Sequence, residues 1–289
     1  MAAVEKGPQA LIVDFHTKAY PTWLQDQRDK YLSTDATFRE LFSHPKTRLT
    51  STEDLVQAMD EDGVDHSVVM GVGWTDVNLA RRMNDYIIES TARHGGRLTG
   101  FASVNPGWGD DAALELERCA RAGLKGLGEL HPDTQGFDLD DKAAMAPVME
   151  VVREHGLIVT AHSSEPVGHA YAGKGETRPE ALWRFLQDYP DVAIVCAHWG
   201  GGLPFYALMP EVSEGLENAY FDTAASPFLY NRRVFDVGAS LVGADKILLG
   251  SDFPLLRTRQ LIKQVESSSL SEGDKAAITG GNASRLLGL

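Results

Sequence analysis

The sequence is most informative over the stretch Leu11-Ile12-Val13-Asp14-Phe15-His16-Thr17-Lys18. An apolar run ends there in an acid, a histidine and a lysine, and a turn-prone segment with Pro21 follows. In a strand, the alternation of side chains places Asp14, His16 and Lys18 on one face. Burying such groups costs several kcal/mol each unless they find partners. The stretch therefore predicts a strand whose carboxyl end belongs to a functional site.

The composition is typical of a soluble globular protein, with 43% hydrophobic and 24% charged residues. The 289 residues are enough for two average domains or for one α/β barrel. The formal net charge of −14 argues against a nucleic-acid surface, which needs a basic patch, and against binding to anionic membranes. A small acidic substrate remains compatible with this charge, because the local charge in a pocket can differ from the net charge.

The cysteines and the N-terminus predict a cytoplasmic location. Cys119 lies in a helical pattern and Cys196 in a strand interior, and neither has the spacing of a metal site. Residues 1–9 contain neither a basic segment nor an apolar run, so they do not predict a signal peptide. No apolar run approaches the ~20 residues of a transmembrane helix.

Predicted strands and helices alternate along the chain. The predicted strands cover residues 10–16, 64–72, 98–104, 124–130, 157–162, 192–198, 219–222 and 246–250. The predicted helices cover residues 34–42, 52–60, 75–94, 110–122, 141–154, 179–188, 231–241, 258–267 and 272–287, and a further helix begins near Pro204. The strands are apolar without clean alternation, as parallel strands covered on both faces are.

This rhythm predicts a single (β/α)8 TIM barrel domain over residues 1–289. A doubly wound open sheet is the alternative, but no Gly-x-Gly-x-x-Gly follows an early strand. Residues 17–50 form an insertion after the first strand, rich in aromatic side chains. Such a long connection is typical of a lid or a substrate-binding loop. It could equally be a docked excursion with its own small apolar cluster.

Polar side chains close several of the predicted strands. They are His16 and Lys18 on the first strand, Glu129 and His131 on the fourth, His162 on the fifth, His198 on the sixth and Asp252 on the eighth. In a (β/α)8 barrel, the carboxyl ends of the strands converge on one pocket. One strand-end histidine would most often be an ordinary core residue, but an ordered set of this kind indicates a functional site.

Imidazole and carboxylate groups are ligands that suit Zn²⁺, Mn²⁺ or Fe²⁺. A bound ion would lower the pKa of a bound water toward ~7 and generate a hydroxide nucleophile, or would act as a Lewis acid on a carbonyl oxygen. The sequence therefore predicts one divalent metal ion, with zinc as the first expectation and manganese or iron as alternatives.

The order of these motifs resembles the amidohydrolase superfamily, in particular the amidohydrolase-related group that includes aminocarboxymuconate semialdehyde decarboxylase. The matching segments are residues 14–18, His162, residues 197–201, residues 250–254 and the tail at 281–289, so the resemblance covers essentially the whole chain. It implies a barrel of the metal-dependent hydrolase type. It also implies that His16, His162 and Asp252 ligate the metal, with Glu129 as a further ligand. His198 would be a catalytic histidine, and Asp252 would also take a proton from the attacking water.

Lys18 departs from the pattern of the family, whose first motif is usually His-x-His. A protonated ammonium cannot ligate a metal, which leaves three readings. Lys18 could bind as a neutral or carbamylated side chain. It could instead orient an acidic substrate beside a mononuclear site, paired with Glu129 or Asp252. It could also replace the charge of the metal. We favour the second reading, which makes Lys18 a catalytic residue together with Asp252 and His198.

Other side chains are candidates for substrate binding. They are Trp74, His131, His169, Tyr171, Trp199 and Arg257. The loop at residues 165–175 combines glycine with Tyr, His and Lys, and could be a lid or a plain surface loop. Arg257 could hold a substrate carboxylate or be a solvated arginine at a helix start. The two tryptophans could line the pocket, but a core role suits Trp74 as well.

The function predicted first is hydrolysis of a C–O or C–N bond in a lactone, an amide or a cyclic acid by a metal-activated water. Asp252 would be the general base, and His198 would polarise the carbonyl. The alternative, which the resemblance supports directly, is non-oxidative decarboxylation of an unsaturated or aromatic acid in the same pocket. A third reading is a metal-free barrel that binds a ligand without catalysis. The expected partner is a small molecule, possibly a carboxylic acid, and barrels of this kind often form homodimers.

Overall fold

The computed structural model describes residues 11–289. The predicted start of the first strand at Ala10 and the N-terminal residues 1–9 lie outside the described residues. Eight parallel strands form one sheet in the order of the chain. They are β1 (Val13–Thr17), β2 (His66–Val69), β3 (Leu98–Ala102), β4 (Gly126–Leu130), β5 (Ile158–Ala161), β6 (Ile194–Cys196), β7 (Ala219–Asp222) and β8 (Ile247–Leu248).

The sheet closes between the end of β8 and β1. The backbone N–H of Phe15 donates to the carbonyl of Leu249 at 2.7 Å, and that of Lys18 donates to the carbonyl of Phe253 at 2.8 Å. Thr17 and Phe253 form a parallel bridge. The predicted (β/α)8 barrel is therefore confirmed.

Helices lie between the strands and after the last of them. They are Thr22–Asp26, Arg28–Thr34, Ala36–Phe42, Thr52–Asp62, Val77–Arg93, Asp110–Arg121, Pro132–Gln135, Lys142–His155, Pro179–Asp188, Pro210–Glu214, Ser226–Leu229, Val234–Val242, Thr258–Glu266, Glu272–Ala276 and Asn282–Leu287. Shorter helical turns cover Pro106–Trp108, Leu203–Tyr206 and Ala244–Lys246, and Ala277–Gly281 is a π-helical turn. None of the helices within residues 11–289 has both the length and the apolar character needed to cross a bilayer.

Apolar side chains pack on both sides of the barrel wall. Val69, Leu127 and Val159 pack outward with side chains of the surrounding helices. Alternate strand residues such as Val68 join Phe15 and Phe101 in a separate cluster, in which the two phenylalanine rings meet edge to face at 5.8 Å. Because these residues precede the polar strand ends in the chain, they form an apolar floor beneath the site.

The insertion at residues 17–50 carries three short helices where the sequence predicted one. Tyr20, Leu24 and Phe38 pack in their own apolar cluster, which also includes Val72 and Trp74. The part that follows Ala36–Phe42 borders the cavity at the carboxyl ends of the strands. The insertion therefore has the small cluster of a docked excursion and also contributes to the pocket wall.

A β-bulge in β1 separates Asp14 from His16. The pairing of β1 with β2 shifts register between Asp14 and Thr17, and such a bulge interrupts the alternation of side chains. Asp14 accepts hydrogen bonds from the backbone N–H of Ser251 at 3.0 Å and from the hydroxyl of Thr258 at 2.6 Å. The expectation that Asp14 shares the face of His16 and Lys18 is therefore corrected: Asp14 ties β1 to the segment after β8.

Candidate active site

A cavity of about 560 Å³ opens at the carboxyl ends of the strands. Its deep end is polar and is formed by Lys18, Glu129, His162, His198 and Asp252. These predicted residues come from β1, β4, β5, β6 and β8 or lie within four residues of the carboxyl ends of these strands. The barrel therefore brings together side chains that are up to 234 positions apart in the sequence (252 − 18).

The walls and the mouth of the cavity differ in chemistry. Phe42, Val72 and Phe228 are apolar wall residues, and Tyr20 contributes a buried aromatic ring. The exposed mouth includes His44, Lys46 and Arg48 from the insertion. The cavity therefore combines apolar walls with buried polar groups at its deep end and exposed basic groups at its mouth.

Glu129 lies at the centre of the polar end. Its Oε2 atom accepts a hydrogen bond from the Lys18 ammonium at 2.6 Å, and its Oε1 atom lies 2.8 Å from His162 Nδ1. The Nε2 atoms of His16 and His198 lie 3.4 Å from its two oxygens. Burial raises the pKa of Glu129, but the opposing charges of Lys18 and His16 lower it well below its usual value. Glu129 is therefore a carboxylate held by four nitrogen-bearing side chains.

Asp222, at the end of β7, orients His16. Its Oδ2 atom lies 2.7 Å from His16 Nδ1, and its Oδ1 atom accepts backbone hydrogen bonds from His198 at 2.9 Å and Ala224 at 3.0 Å. Burial raises the pKa of Asp222, but His16 lowers it below its usual value. A carboxylate that receives the Nδ1 proton fixes the ring, so that His16 Nε2 points towards Glu129 and Asp252.

His16 Nε2 is buried and has no hydrogen-bond partner among residues 11–289. Burial and Lys18 lower the pKa of His16, while Asp222 and Glu129 raise it, with the net result a pKa of about 10. Its Nε2 atom faces the carboxylates of Glu129 and Asp252, at 3.4 and 3.6 Å. A cation bound there would use the lone pair of Nε2, since a ligating imidazole is neutral.

Backbone strain is concentrated around the cavity. His198 has a φ of 56° and Asp252 a φ of 61°, in the left-handed region that non-glycine residues rarely adopt. Trp199 and Ala225 are the other non-glycine residues with positive φ in the described chain. Such conformations cost about 1–3 kcal/mol each and persist where the surrounding structure enforces them. Here they turn His198 and Asp252 towards the polar end of the cavity.

Three side chains present ligand atoms close enough to hold one cation: His16, Glu129 and His198 lie within 4.8 Å of one another. The unpartnered Nε2 of His16 and the mixed nitrogen and oxygen donors fit a divalent ion such as Mn²⁺ or Zn²⁺. His162 lies outside this group, because its Nδ1 faces Glu129 and its Nε2 contacts the carbonyl of Gly173 at 2.9 Å. Asp252 Oδ1 is adjacent, 3.6 Å from His16 Nε2. Ligand roles for His162 and Asp252 remain predictions.

The structure places three of the proposed substrate-binding residues away from the cavity. Trp74 is fully buried in the apolar cluster of the insertion. Trp199 is fully buried against Phe235, and its Nε1–H donates to Ser226 Oγ at 2.5 Å. Arg257 binds the helix Thr52–Asp62, where the acids at its end neutralise the guanidinium: Asp62 lies 2.7 Å away. These three positions do not support contact with a substrate.

The other three candidates border the cavity. His131 stacks on His162, with ring centroids 4.1 Å apart. His169 and Tyr171 lie in the loop after β5, and the Tyr171 hydroxyl donates to Glu165 at 2.9 Å. Their contact with a substrate stays a prediction.

Two residues of the site were missed from the sequence. Asp222 closes a predicted strand just as the chosen residues do, so the rule that was applied to the other strand ends would have found it. Tyr20 lines the cavity with a buried hydroxyl that has no partner among the described residues. Its position depends on the path of the insertion, for which the sequence offers no comparable signal.

The chain is similar to proteins of known activity over almost all of its length. A family model described as amidohydrolase matches residues 13–289. The gamma-resorcylate decarboxylase of Polaromonas sp. (strain JS666 / ATCC BAA-500) is 26% identical over 300 residues, covering 84% of this chain and 90% of the relative. The prediction of a hydrolase is therefore wrong, because this relative is a decarboxylase, and the alternative of a carboxy-lyase is favoured.

Solved structures of decarboxylases share the fold. The 5-carboxyvanillate decarboxylase LigW from Sphingomonas paucimobilis has a TM-score of 0.80 at 19% identity, covering 97% of this chain and 99% of that one. A dihydroxybenzoic acid decarboxylase from Polaromonas sp. JS666, with bound manganese and the inhibitor 2-nitroresorcinol, has a TM-score of 0.69 at 23% identity, covering 96% and 97%. The metal in that structure is manganese, which gives no support to zinc as the first expectation.

Proposed function

We propose that this chain, which belongs to the amidohydrolase family, is a metal-dependent carboxy-lyase that releases CO₂ from a small aromatic acid. The observation that carries the proposal is the division of the cavity into a polar end, which contains the buried ammonium of Lys18, and apolar walls. A planar ring with one carboxylate matches this division, because the ring can pack on Phe42, Val72 and Phe228 while the carboxylate enters the polar end.

Lys18 and a divalent ion would supply the positive charge that receives the carboxylate. The ammonium of Lys18 is buried and is held by Glu129 and by the carbonyl of Gly71 at 3.2 Å, so its position is fixed before a substrate arrives. His16, Glu129 and His198 are the residues that would hold the ion. When bound, the ion would supply a Lewis acid that could orient the acid group and offset negative charge on the substrate. Manganese is our first choice, by analogy with the Polaromonas relative.

Decarboxylation also needs a proton donor. When the bond between the ring carbon and the carboxyl carbon breaks, its electron pair stays on the ring carbon, which must gain a proton as CO₂ leaves. Asp252 is the best-placed acid, because 20% of its side chain is exposed to the cavity, against 5% for Glu129 and 0% for Asp222. We assign Asp252 as the donor, which regains its proton from water after product release.

The test is CO₂ release by purified protein supplied with Mn²⁺ and 2,6-dihydroxybenzoate or 5-carboxyvanillate. We expect equal amounts of CO₂ and decarboxylated phenol, measured by gas analysis and chromatography. Asp252→Asn removes the donor, and we expect it to lose at least a hundredfold in kcat while still binding the acid. Asp245→Asn, at an exposed position outside the cavity, is the matched control and should keep full activity. Tight binding of these acids without CO₂ release by the wild-type protein would overturn the proposal.

A further inference from the structure

His131 borders the cavity directly after β4, yet the proposed reaction gives it no role. Its ring lies parallel to that of His162, with an interplanar angle of 13°. Its Nε2 atom is buried and has no hydrogen-bond partner among residues 11–289. A buried polar atom without a partner in a cavity wall calls for a ligand or a water to complete it.

A chain of hydroxyl groups decides which nitrogen of His131 carries the proton. Thr37 Oγ1 donates to the carbonyl of Gly73 at 2.6 Å, and Thr37 Oγ1 and Thr134 Oγ1 lie 2.5 Å apart. Thr134 Oγ1 lies 3.1 Å from His131 Nδ1. The carbonyl oxygen of Gly73 can only accept a hydrogen bond, so the hydroxyl proton of Thr37 is used in the bond to Gly73. The hydroxyl group of Thr134 must therefore donate to Thr37 Oγ1. Thr134 can then only accept from His131, which places the proton of the ring on Nδ1.

The opposite direction is less favourable. If Thr134 donated to His131 Nδ1, or to the carbonyl of His131 at 3.3 Å, Thr37 would have to give its proton to Thr134 and abandon Gly73. The short bond to Gly73 would then be lost with nothing in exchange. Among residues 11–289, His131 Nε2 also has no acceptor that would hold a second proton there. In a neutral ring with its proton on Nδ1, Nε2 is an acceptor.

The ring of His131 is held in place by its surroundings. Its backbone N–H donates to Gln135 Oε1 at 2.9 Å, and Gln135 Nε2 donates to the carbonyls of Val104 at 3.1 Å and Trp74 at 3.2 Å. Gly73 packs so closely that an added Cβ would lie 2.7 Å from the Cβ of His131. The acceptor is therefore prepared before the substrate binds, as a selective site requires.

We propose that His131 is a specificity-determining residue whose Nε2 accepts a hydrogen bond from a hydroxyl group on the substrate. This inference rests on the proposed function and deepens it, because it narrows the substrate to an aromatic acid that carries a hydroxyl donor. A methyl ether of the same acid has no proton to offer and leaves Nε2 unpaired. Sites that form a hydrogen bond with a substrate hydroxyl discriminate strongly against analogues that lack this hydroxyl.

The first test measures the tautomer, without any substrate. The ¹⁵N chemical shifts of the nine histidines are recorded, and the His131 signals are assigned by their loss in His131→Phe. We expect a protonated Nδ1 and an unprotonated Nε2 in the wild-type protein. Thr134→Val removes the acceptor for Nδ1–H, and we expect a mixture of tautomers. A wild-type proton on Nε2 would overturn the inference and leave the proposed decarboxylation untouched.

The second test measures selectivity. Dissociation constants of 2,6-dihydroxybenzoate and 2,6-dimethoxybenzoate are determined by calorimetry with the Mn²⁺-loaded protein. We expect the wild-type preference for the hydroxylated acid to fall at least tenfold in His131→Phe, which keeps an aromatic ring against His162, and by a smaller factor in Thr134→Val. An unchanged preference in both variants would overturn the inference. Failure of the proposed function would look different, since the acids would bind with this selectivity and release no CO₂.

Discussion

Glu115 and Glu129 are both buried carboxylates, but the groups around them differ in kind. Glu115 lies in the helix Asp110–Arg121 and receives two hydrogen bonds of 2.8 Å from Arg118 and one of 2.8 Å from Asn84. Asn84 in turn pairs through both of its side-chain groups with the backbone of Ser103. Around Glu129 lie a lysine and three histidines, and one of these, His16, keeps an unpartnered nitrogen.

The difference separates a structural carboxylate from a functional one. The donors around Glu115 are an arginine that stays charged, an amide that cannot titrate, and the thiol of Cys119, whose pKa is raised by burial. This network joins two helices to the segment after β3. The groups around Glu129 can exchange protons or bind an ion. Burial alone therefore does not mark the site; what marks it is a buried carboxylate whose neighbours still have ligand atoms to offer.

The largest expected effect follows from Glu129→Gln. This change removes the charge that holds Lys18 and one ligand of the proposed ion, while the shape of the side chain is kept. We expect kcat/KM to fall roughly a thousandfold or more, equivalent to about 4 kcal/mol of barrier. Bound manganese, measured by elemental mass spectrometry, should fall with it. If the variant kept both the bound manganese and the activity, the central role of Glu129 in metal binding and catalysis would be contradicted.

Asp222→Asn tests the support of His16. The amide can no longer accept the Nδ1 proton with the same strength, so the ring loses its fixed tautomer and orientation. Loss of such a partner typically weakens metal affinity by about 10–100-fold. The measurement is competition for manganese against a chelator of known affinity. Asp245→Asn serves again as the control, and equal affinities of the two variants would show that His16 does not need Asp222.

Glu115→Gln should show the opposite pattern. Asn84 loses a charged acceptor and Arg118 keeps only its second carboxylate partner, Asp85, so we expect the free energy of unfolding to fall by about 1–3 kcal/mol. The fall should be visible as a lower midpoint in thermal unfolding. We expect kcat/KM to stay within twofold of the wild-type value, because the network does not reach the cavity. A large loss of activity at full stability would contradict the contrast between the two carboxylates.

The pH dependence of the stability difference between wild type and Glu115→Gln tests the structural role of Glu115. Burial raises the pKa of Glu115, but hydrogen bonds from Arg118 and Asn84 lower it below its usual value of 4.5. A carboxyl with a lowered pKa in the folded state stabilises the protein above the pKa of the unfolded state. The difference between wild type and Glu115→Gln should therefore be full at pH 7 and shrink as the pH falls below 4.5. Urea unfolding at several pH values measures it, and a difference that grows with acidity would be inconsistent with this network.

The barrel and most of its polar strand ends could be predicted from the sequence because they depend on local patterns. Apolar runs, glycine stops and the convergence of parallel strands are general rules, and they placed Lys18, Glu129, His198 and Asp252 around one cavity. The bulge that turns Asp14 away could not be predicted, since it depends on the pairing of β1 with β2. The tautomer of His131 was equally out of reach, because Thr37 and Gly73 meet it only in the fold.

Arg257 illustrates the same limit and gives the smallest expected effect. Its place after β8 suggested contact with a substrate carboxylate, but the acids Asp62 and Glu61 on a neighbouring helix hold its guanidinium at 2.7 and 3.0 Å. Partly exposed ion pairs of this kind are worth about 1 kcal/mol or less. We therefore expect Arg257→Gln to lower stability by at most that amount and to leave the KM for the aromatic acid unchanged. A tenfold rise in KM would contradict this prediction and would indicate that Arg257 contacts the substrate. Such a contact requires the segment after β8 to move towards the cavity.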